Sequence, residues 1–177
     1  MTEAQPLTRI VRIDALPKEG QAVTIDATAA EREALAKLYD LPAIAALTAT
    51  LRVEPAGRGG ARVTGEVRGE LTQICVVSLE PFATTVEEPV DVRFAPAADE
   101  DSARRAARES LTLSVADEDD PDPVVDGRID LGALAAEFFA LGIDPYPRKP
   151  GAQFVTPVEQ AAPDSPFAAL AARRTRR

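Results

Sequence analysis

Few residue types in this chain are suited to catalytic chemistry, and most of those that are present are carboxylates. The chain of 177 residues contains no histidine and a single cysteine, Cys75. Without histidine, the commonest general base and every Ser-His-Asp or Cys-His arrangement are missing. A lone cysteine also excludes an internal disulfide and the usual zinc sites. We therefore expect a non-enzymatic binding protein with no metal and no cofactor, and a carboxylate-based small-molecule enzyme is the alternative.

The densest group of carboxylates lies between the middle and the end of the chain. Its members are Asp117, Glu118, Asp119, Asp120, Asp122 and Asp126. Oxygen ligands of this kind could hold Mg²⁺ or Ca²⁺, but the alternating spacing, central glycine and terminal glutamate of a calcium loop are absent. A solvated acidic loop and a docking surface for a basic protein are the other two interpretations. If the run is a docking surface, its candidate partner-binding residues are Asp117, Glu118, Asp119 and Asp120.

Cys75 is the single residue whose side chain could act as a strong nucleophile. It lies beside Val76 and Val77 at the end of a predicted strand, where a free cysteine commonly behaves as a small buried hydrophobe. A reactive thiolate needs positive charge nearby, and the flanking residues from Gln73 to Val77 carry none. We expect Cys75 to be structural.

The net charge of the chain is -9, with an isoelectric point near 4.6. This charge opposes non-specific attachment to nucleic acid and attracts a basic partner. The last five residues differ, because they include the arginines Arg173, Arg174, Arg176 and Arg177, which could contact phosphate. A direct RNA-binding module is a further alternative, opposed by the net charge and by the shortage of aromatic residues.

The chain contains no stretch approaching the roughly 20 apolar residues that span a bilayer. Its first residues, MTEAQPLTRI, lack the basic and apolar regions of a signal peptide. We expect a cytoplasmic protein that does not contact a membrane.

Alternating apolar and polar residues predict a sheet in the first half of the chain. Residues 47–53 and 61–71 alternate with period two and are separated by a glycine-rich turn, which predicts a hairpin. Residues 86–94 alternate again, and Pro89 on the outward side indicates an edge or a bulge. With two earlier short strands, at 7–13 and 22–25, the pattern favours an antiparallel meander.

Two helices are predicted to pack on this sheet, so the predicted fold class is α+β. The first, at 28–41, begins with the capping-box pair Thr28 and Glu31. The second begins at Asp130 and ends near Gly142, and its inward residues are predicted to be Leu131, Leu134, Ala135 and Phe138.

Adjacent aromatic residues make the inward face of the second helix ambiguous. Phe139 lies about 100° around the helix from Phe138. It either widens the buried stripe or forms, with Tyr146, a patch that faces a partner. Phe139 and Tyr146 are therefore candidate partner-binding residues.

We predict one domain over residues 1–152, with an exposed acidic loop at about 97–123. Residues 153–177 are predicted to form a flexible Pro/Ala-rich tail that ends in the arginine cluster. Within the tail, Ser165 to Leu170 resembles a short helix start, with Ser165 as N-cap and Pro166 at the first helical position. This segment is either a linear docking motif or an untethered, frayed helix.

Two sequence blocks resemble those of a known family. The first is Cys75–Phe82, with the sequence CVVSLEPF, and it leads into the alternating strand 86–94. The second is Asp126–Ala152, which starts with DGRIDLG and ends with DPYPRKPGA. Their order and spacing, over roughly residues 70 to 152, resemble the YceD family of large ribosomal RNA subunit accumulation proteins.

The resemblance implies a non-catalytic role in accumulation of the large-subunit rRNA and in biogenesis of the large ribosomal subunit. Many relatives carry a C-x-x-C pair where this chain has Cys75 and Ser78, and a further cysteine pair near Pro145 to Ala152. Four thiolates could bind zinc there, but one remains here, so zinc is not expected. The partner implied is a basic ribosomal protein or a large-subunit assembly intermediate.

Overall fold

The computed structural model describes residues 5–57, 59–96, 121–124 and 126–154. In chain order the elements are β1 (Ile10–Arg12), a 3-10 turn (Ile13–Ala15), β2 (Gln21–Asp26), α1 (Ala29–Leu38), β3 (Ala43–Ala56), β4 (Gly60–Ile74), β5 (Pro81–Pro96), β6 (Asp122–Val124), β7 (Arg128–Asp130) and α2 (Leu131–Leu141). Within the described ranges, no helix is long and apolar enough to span a membrane.

The main sheet has the strand order β2-β3-β4-β5-β6. Strands β2 to β5 form an antiparallel meander, while β6 runs parallel to the end of β5. Strands β1 and β7 form a separate antiparallel ribbon. The predicted α+β class, with a meander and two packing helices, is confirmed.

The hairpin of β3 and β4 forms the centre of the core. Val53 pairs with Val63 and Ala49 with Val67, and all four side chains are buried. Their alternation with exposed polar residues places one face of the sheet against the helices and leaves the other in water. The predicted hairpin is therefore confirmed, as is the outward position of Pro89 on β5.

Helix α1 begins at the predicted capping box. The Thr28 hydroxyl accepts a hydrogen bond from the Glu31 backbone N–H, and the Glu31 carboxylate accepts one from the Thr28 N–H. The helix ends at Leu38, three residues earlier than predicted. Asp40 adopts a left-handed conformation (φ 53°), which turns the chain into β3 before Pro42 can act as the helix stop.

The Glu31 carboxylate also joins the N-terminal segment to α1. Both of its oxygens accept hydrogen bonds from the Arg9 guanidinium, at 2.8 and 3.2 Å. The Arg9 backbone N–H donates to Asp130, which in turn caps α2 through the N–H groups of Gly132 and Ala133. One short segment therefore contacts the starts of both helices.

Of the two interpretations of Phe139, the wider buried stripe is confirmed and the partner-facing patch is wrong, because this ring is fully buried. It packs where Gly69 of β4 has no side chain, and a Cβ atom at Gly69 would lie 2.3 Å from the ring. Phe139 also contacts Tyr39, with ring centroids 6.2 Å apart. Phe138, predicted to be the inward residue, is only partly buried. The missing side chain of Gly69 decides which of the two rings is the deeper one.

The predicted acidic loop and the predicted tail extend beyond the described ranges. Asp122 and Pro123, assigned to the acidic loop at 97–123, belong to β6, a strand too short to show an alternating pattern. Residues 97–120 of the loop, and residues 155–177 of the tail, lie outside the described residues.

The Arg9–Glu31 pair predicts a stability change in acid. The hydrogen bonds from Arg9, and then that from the Thr28 N–H, lower the pKa of Glu31 from 4.5 to about 2. The stabilisation is therefore complete above pH 4.5 and is lost as the pH falls towards 2. After allowance for the 36% exposure of the Arg9 side chain, we expect a loss of about 1 to 2 kcal/mol.

Urea unfolding of the wild type and of Glu31→Gln at pH 6, 4 and 3 measures this effect. The difference between the two proteins should shrink as the pH falls. Glu33→Gln is the matched control, because Glu33 lies on the same helix and pairs with Lys37 at an exposed position. A constant wild-type advantage over Glu31→Gln at all three pH values contradicts the prediction.

Candidate partner-binding surface

Several large hydrophobic side chains are exposed where β4 turns into β5 and in the segment after α2. In the turn they are Ile74, Val76 and Leu79, and after the helix they are Tyr146 and Phe154. Leu79, Tyr146 and Phe154 are each more than 70% exposed. We call these five residues the tip surface. Isolated exposed hydrophobic residues are ordinary, but several in adjoining segments are typical of an interaction site.

Backbone hydrogen bonds hold the two segments of the tip surface together. The Cys75 N–H donates to the Glu80 carbonyl and the Leu79 N–H to the Cys75 carbonyl, both at 2.9 Å, which closes the turn. The Val76 N–H donates to the carbonyl of Pro147, again at 2.9 Å. The turn and the proline-rich segment therefore form one structural unit although they are distant in sequence.

The sulfur of Cys75 lies at the centre of this unit. It is fully buried and accepts N–H hydrogen bonds from Val77 and Ser78 at 3.4 Å and from Lys149 at 3.3 Å. The Ser78 hydroxyl, followed by these N–H groups, lowers the thiol pKa from 9.0 to about 6. Burial of Cys75 is as predicted, but the sequence analysis considered only charged neighbours and missed the groups that lower the thiol pKa. The stabilising groups are a hydroxyl and backbone N–H dipoles, which a search for charged neighbours does not detect.

Two side-chain contacts reinforce the junction. The buried amide of Gln73 donates to the carbonyl of Asp144 at 2.8 Å. The Lys149 ammonium pairs with Glu80 at 2.8 Å, which raises the lysine pKa and lowers the glutamate pKa. The Lys149–Glu80 pair is exposed and contributes little stability. The buried amide bond is the more important contact, because an unpaired buried amide is costly.

Leu79 has an unfavourable backbone conformation. Its φ angle is 59°, in the left-handed region that glycine adopts without strain and other residues rarely occupy. The strain costs roughly 1 to 2 kcal/mol. Since the side chain is 76% exposed, no burial within the described fold compensates this cost. A residue that is both strained and exposed is a candidate for contact with another molecule.

The structure places the candidate residues from sequence in different locations. Tyr146 belongs to the tip surface, while Phe139 is in the core. The run Asp117–Asp120 and the arginines at 173, 174, 176 and 177 lie outside the described residues. The sequence analysis missed Ile74, Val76, Leu79 and Phe154. For Ile74, Val76 and Leu79, the one local signal was an apolar run that continues past the end of β4, and such a run is equally typical of buried core residues.

The Cys75 sulfur is covered by the groups that donate to it, and among the described residues no side-chain base is hydrogen-bonded to the thiol. In the described part of the chain, no three histidine, cysteine, aspartate or glutamate side chains converge on a possible metal position.

A comparison with protein families identified the family of this chain. The family model described as "Large ribosomal RNA subunit accumulation protein YceD" matches residues 63–172, well over half of the chain. The matched region contains both segments of the tip surface. No curated protein and no solved structure matched the chain.

The hydrogen bonds to Cys75 predict that stability depends on pH through this thiol. The folded-state pKa of about 6 lies below the value of 9.0 for a free thiol. The stabilisation is therefore fully present above pH 9 and is lost as the pH falls through 6. Between pH 6 and 8.5, the urea midpoint of the wild type should rise relative to that of Cys75→Ala.

Ser78→Ala is the matched variant, since it removes the hydroxyl that contributes most to the lowered pKa while it retains the backbone. It should show an intermediate pH dependence. Parallel pH profiles for the wild type and Cys75→Ala would show that the thiol remains protonated.

Removing the two candidate aromatic rings should change stability by very different amounts. Phe139→Ala should cost about 3 to 5 kcal/mol, because it leaves a cavity against Gly69. Tyr146→Ala should change stability by less than about 0.5 kcal/mol, because its ring is exposed. Chemical denaturation measures both, and equal losses would be inconsistent with the structure.

Proposed function

The chain belongs to the YceD family of large ribosomal RNA subunit accumulation proteins, and on this premise we propose that it supports accumulation of large-subunit rRNA by binding a partner. The partner we propose is a basic ribosomal protein or an assembly intermediate of the large subunit. The proposed action is non-catalytic and takes place in the cytoplasm.

The observation that carries this proposal is the tip surface. Its side chains include two exposed aromatic rings in the segment after α2, Tyr146 and Phe154, and the exposed aliphatic Leu79 and Val76 in the turn. Aromatic anchors surrounded by polar groups are typical of the residues that dominate protein interfaces. Arg148, Lys149 and Glu80 are exposed in the same two segments and would form such a polar rim.

The hydrogen bonds beneath the tip surface also favour a binding role. A surface that is already ordered loses less conformational entropy when it binds. Here the Cys75 sulfur and the Gln73 amide fix the backbone that carries the exposed side chains.

Charge supports a protein partner over bare RNA. The arginines on the solvent face of the sheet pair with carboxylates: Arg62 with Asp91, Arg52 with Glu54, and Arg68 with Glu66. The overall charge of -9 would speed association with a basic protein. Asp117, Glu118, Asp119 and Asp120 would contribute to that attraction, and the C-terminal arginines would contact nearby rRNA phosphate.

Leu79→Gly tests the proposal with little risk of unfolding. Relief of roughly 1 to 2 kcal/mol of backbone strain offsets the larger unfolded-state entropy of glycine, about 0.5 to 1 kcal/mol. We expect a variant at least as stable as the wild type that nevertheless binds its partner less well.

The measurement is the ratio of large-subunit to small-subunit rRNA in cells that lack the protein and carry a plasmid copy. The wild type and Leu38→Ala should restore the ratio, and Leu79→Gly combined with Tyr146→Ala should not. Leu38 is the matched control because it is an exposed leucine on α1. Full restoration by the double variant would remove the tip surface from the proposal, and an unchanged ratio in the deletion would refute the rRNA role.

A further inference from the structure

A groove of about 370 Å³ lies beside the C-terminal end of β5, which is the end farther from the tip surface. It is bounded by the β1–β7 ribbon, the β6 strand and the first half of α2. Its apolar lining includes Ile10, Phe94, Ile129 and Leu134. Ile10 is 52% exposed, so the groove presents apolar surface to its surroundings. Its size is within the range of ligand and peptide sites.

The rim of the groove is acidic. It carries the carboxylates of Asp122, Asp130 and Glu137 and the guanidinium of Arg128. The net charge of these four side chains is therefore -2. Asp130 accepts hydrogen bonds from the backbone N–H groups of Arg9, Gly132 and Ala133. An occupant that combines apolar side chains with several positive charges would be complementary to this groove.

The C-terminal part of the chain has this composition. Phe167 and Leu170 are three positions apart, and Arg173, Arg174, Arg176 and Arg177 follow them. The family match continues to residue 172, so both apolar residues belong to the region that the family shares, far beyond the last described residue.

The fully extended linker has about the same reach as the length of β5 between the tip surface and the groove. The thirteen residues from Phe154 to Phe167 can span up to about 43 to 47 Å when extended. The thirteen residues of β5 from Pro81, next to the tip surface, to Phe94, in the groove, span at most about 43 Å at 3.3 Å per residue.

We propose that this groove binds the chain's own C-terminal segment, residues 165–177. Phe167 and Leu170 occupy the apolar lining, and the arginines face Asp122, Asp130 and Glu137. The proposal is independent of the function proposed above, because it rests on the groove and on the composition of the segment.

The full-length protein allows a direct test because it contains no tryptophan. Phe167→Trp introduces a single fluorophore at the position that should enter the groove. Its emission should be blue-shifted relative to the urea-unfolded chain, and acrylamide should quench it more weakly. The shift should be the same at low and high protein concentration.

Two second-site variants locate the binding position. Ala133→Arg fills the groove from α2, and Glu137→Lys reverses one rim charge, so each should move the emission towards the unfolded value. Ala30→Arg, at an exposed position on α1, is the matched control and should have no effect. Circular dichroism shows whether each variant is folded. If Ala133→Arg is unfolded, Glu137→Lys still tests the proposal.

Three results would overturn the proposal. The first is emission at the unfolded value in the Phe167→Trp protein. The second is a blue shift that persists in both groove variants. The third is a shift that grows with protein concentration, which would place the segment in the groove of a second copy.

Discussion

The buried sulfur of Cys75 is the point at which two segments of the chain meet. It accepts hydrogen bonds from Val77 and Ser78 in its own turn and from Lys149, 74 residues away. The exposed side chains of the tip surface are attached to the backbone that these bonds position. The geometry of the candidate site thus depends on a residue that would not itself contact a partner.

The long hairpin determines where the two candidate surfaces lie. Strands β4 and β5 pair over fourteen positions, from Ala61 with Phe94 to Ile74 with Pro81. The tip surface is at one end of this pair and the acidic groove is beside the other. Helix α2 runs from the groove towards the middle of the hairpin, with Leu134 lining the groove and Phe139 packed against Gly69. Two binding events at these surfaces would therefore not compete for space.

Local patterns in the sequence predicted the elements of the fold but not their contacts. The β3–β4 hairpin and the two capped helices follow from periodicity and cap residues within a few positions of one another. The burial of Phe139 depends on Gly69, and the lowered pKa of Cys75 depends in part on Lys149. Partners so distant in sequence leave no periodic signal. For the same reason the sequence indicated Tyr146 as a partner-facing residue but not Leu79, whose conformation is evident only in three dimensions.

The central claim is that this protein acts on large-subunit assembly through its tip surface. Sedimentation of cell lysate on a sucrose gradient, with detection of the protein in each fraction, tests it most directly. We predict that the wild-type protein migrates with large-subunit precursors and that the variant with Leu79→Gly and Tyr146→Ala remains near the top of the gradient. Wild-type protein confined to the top fractions, or a variant that still migrates with the precursors, would contradict the claim.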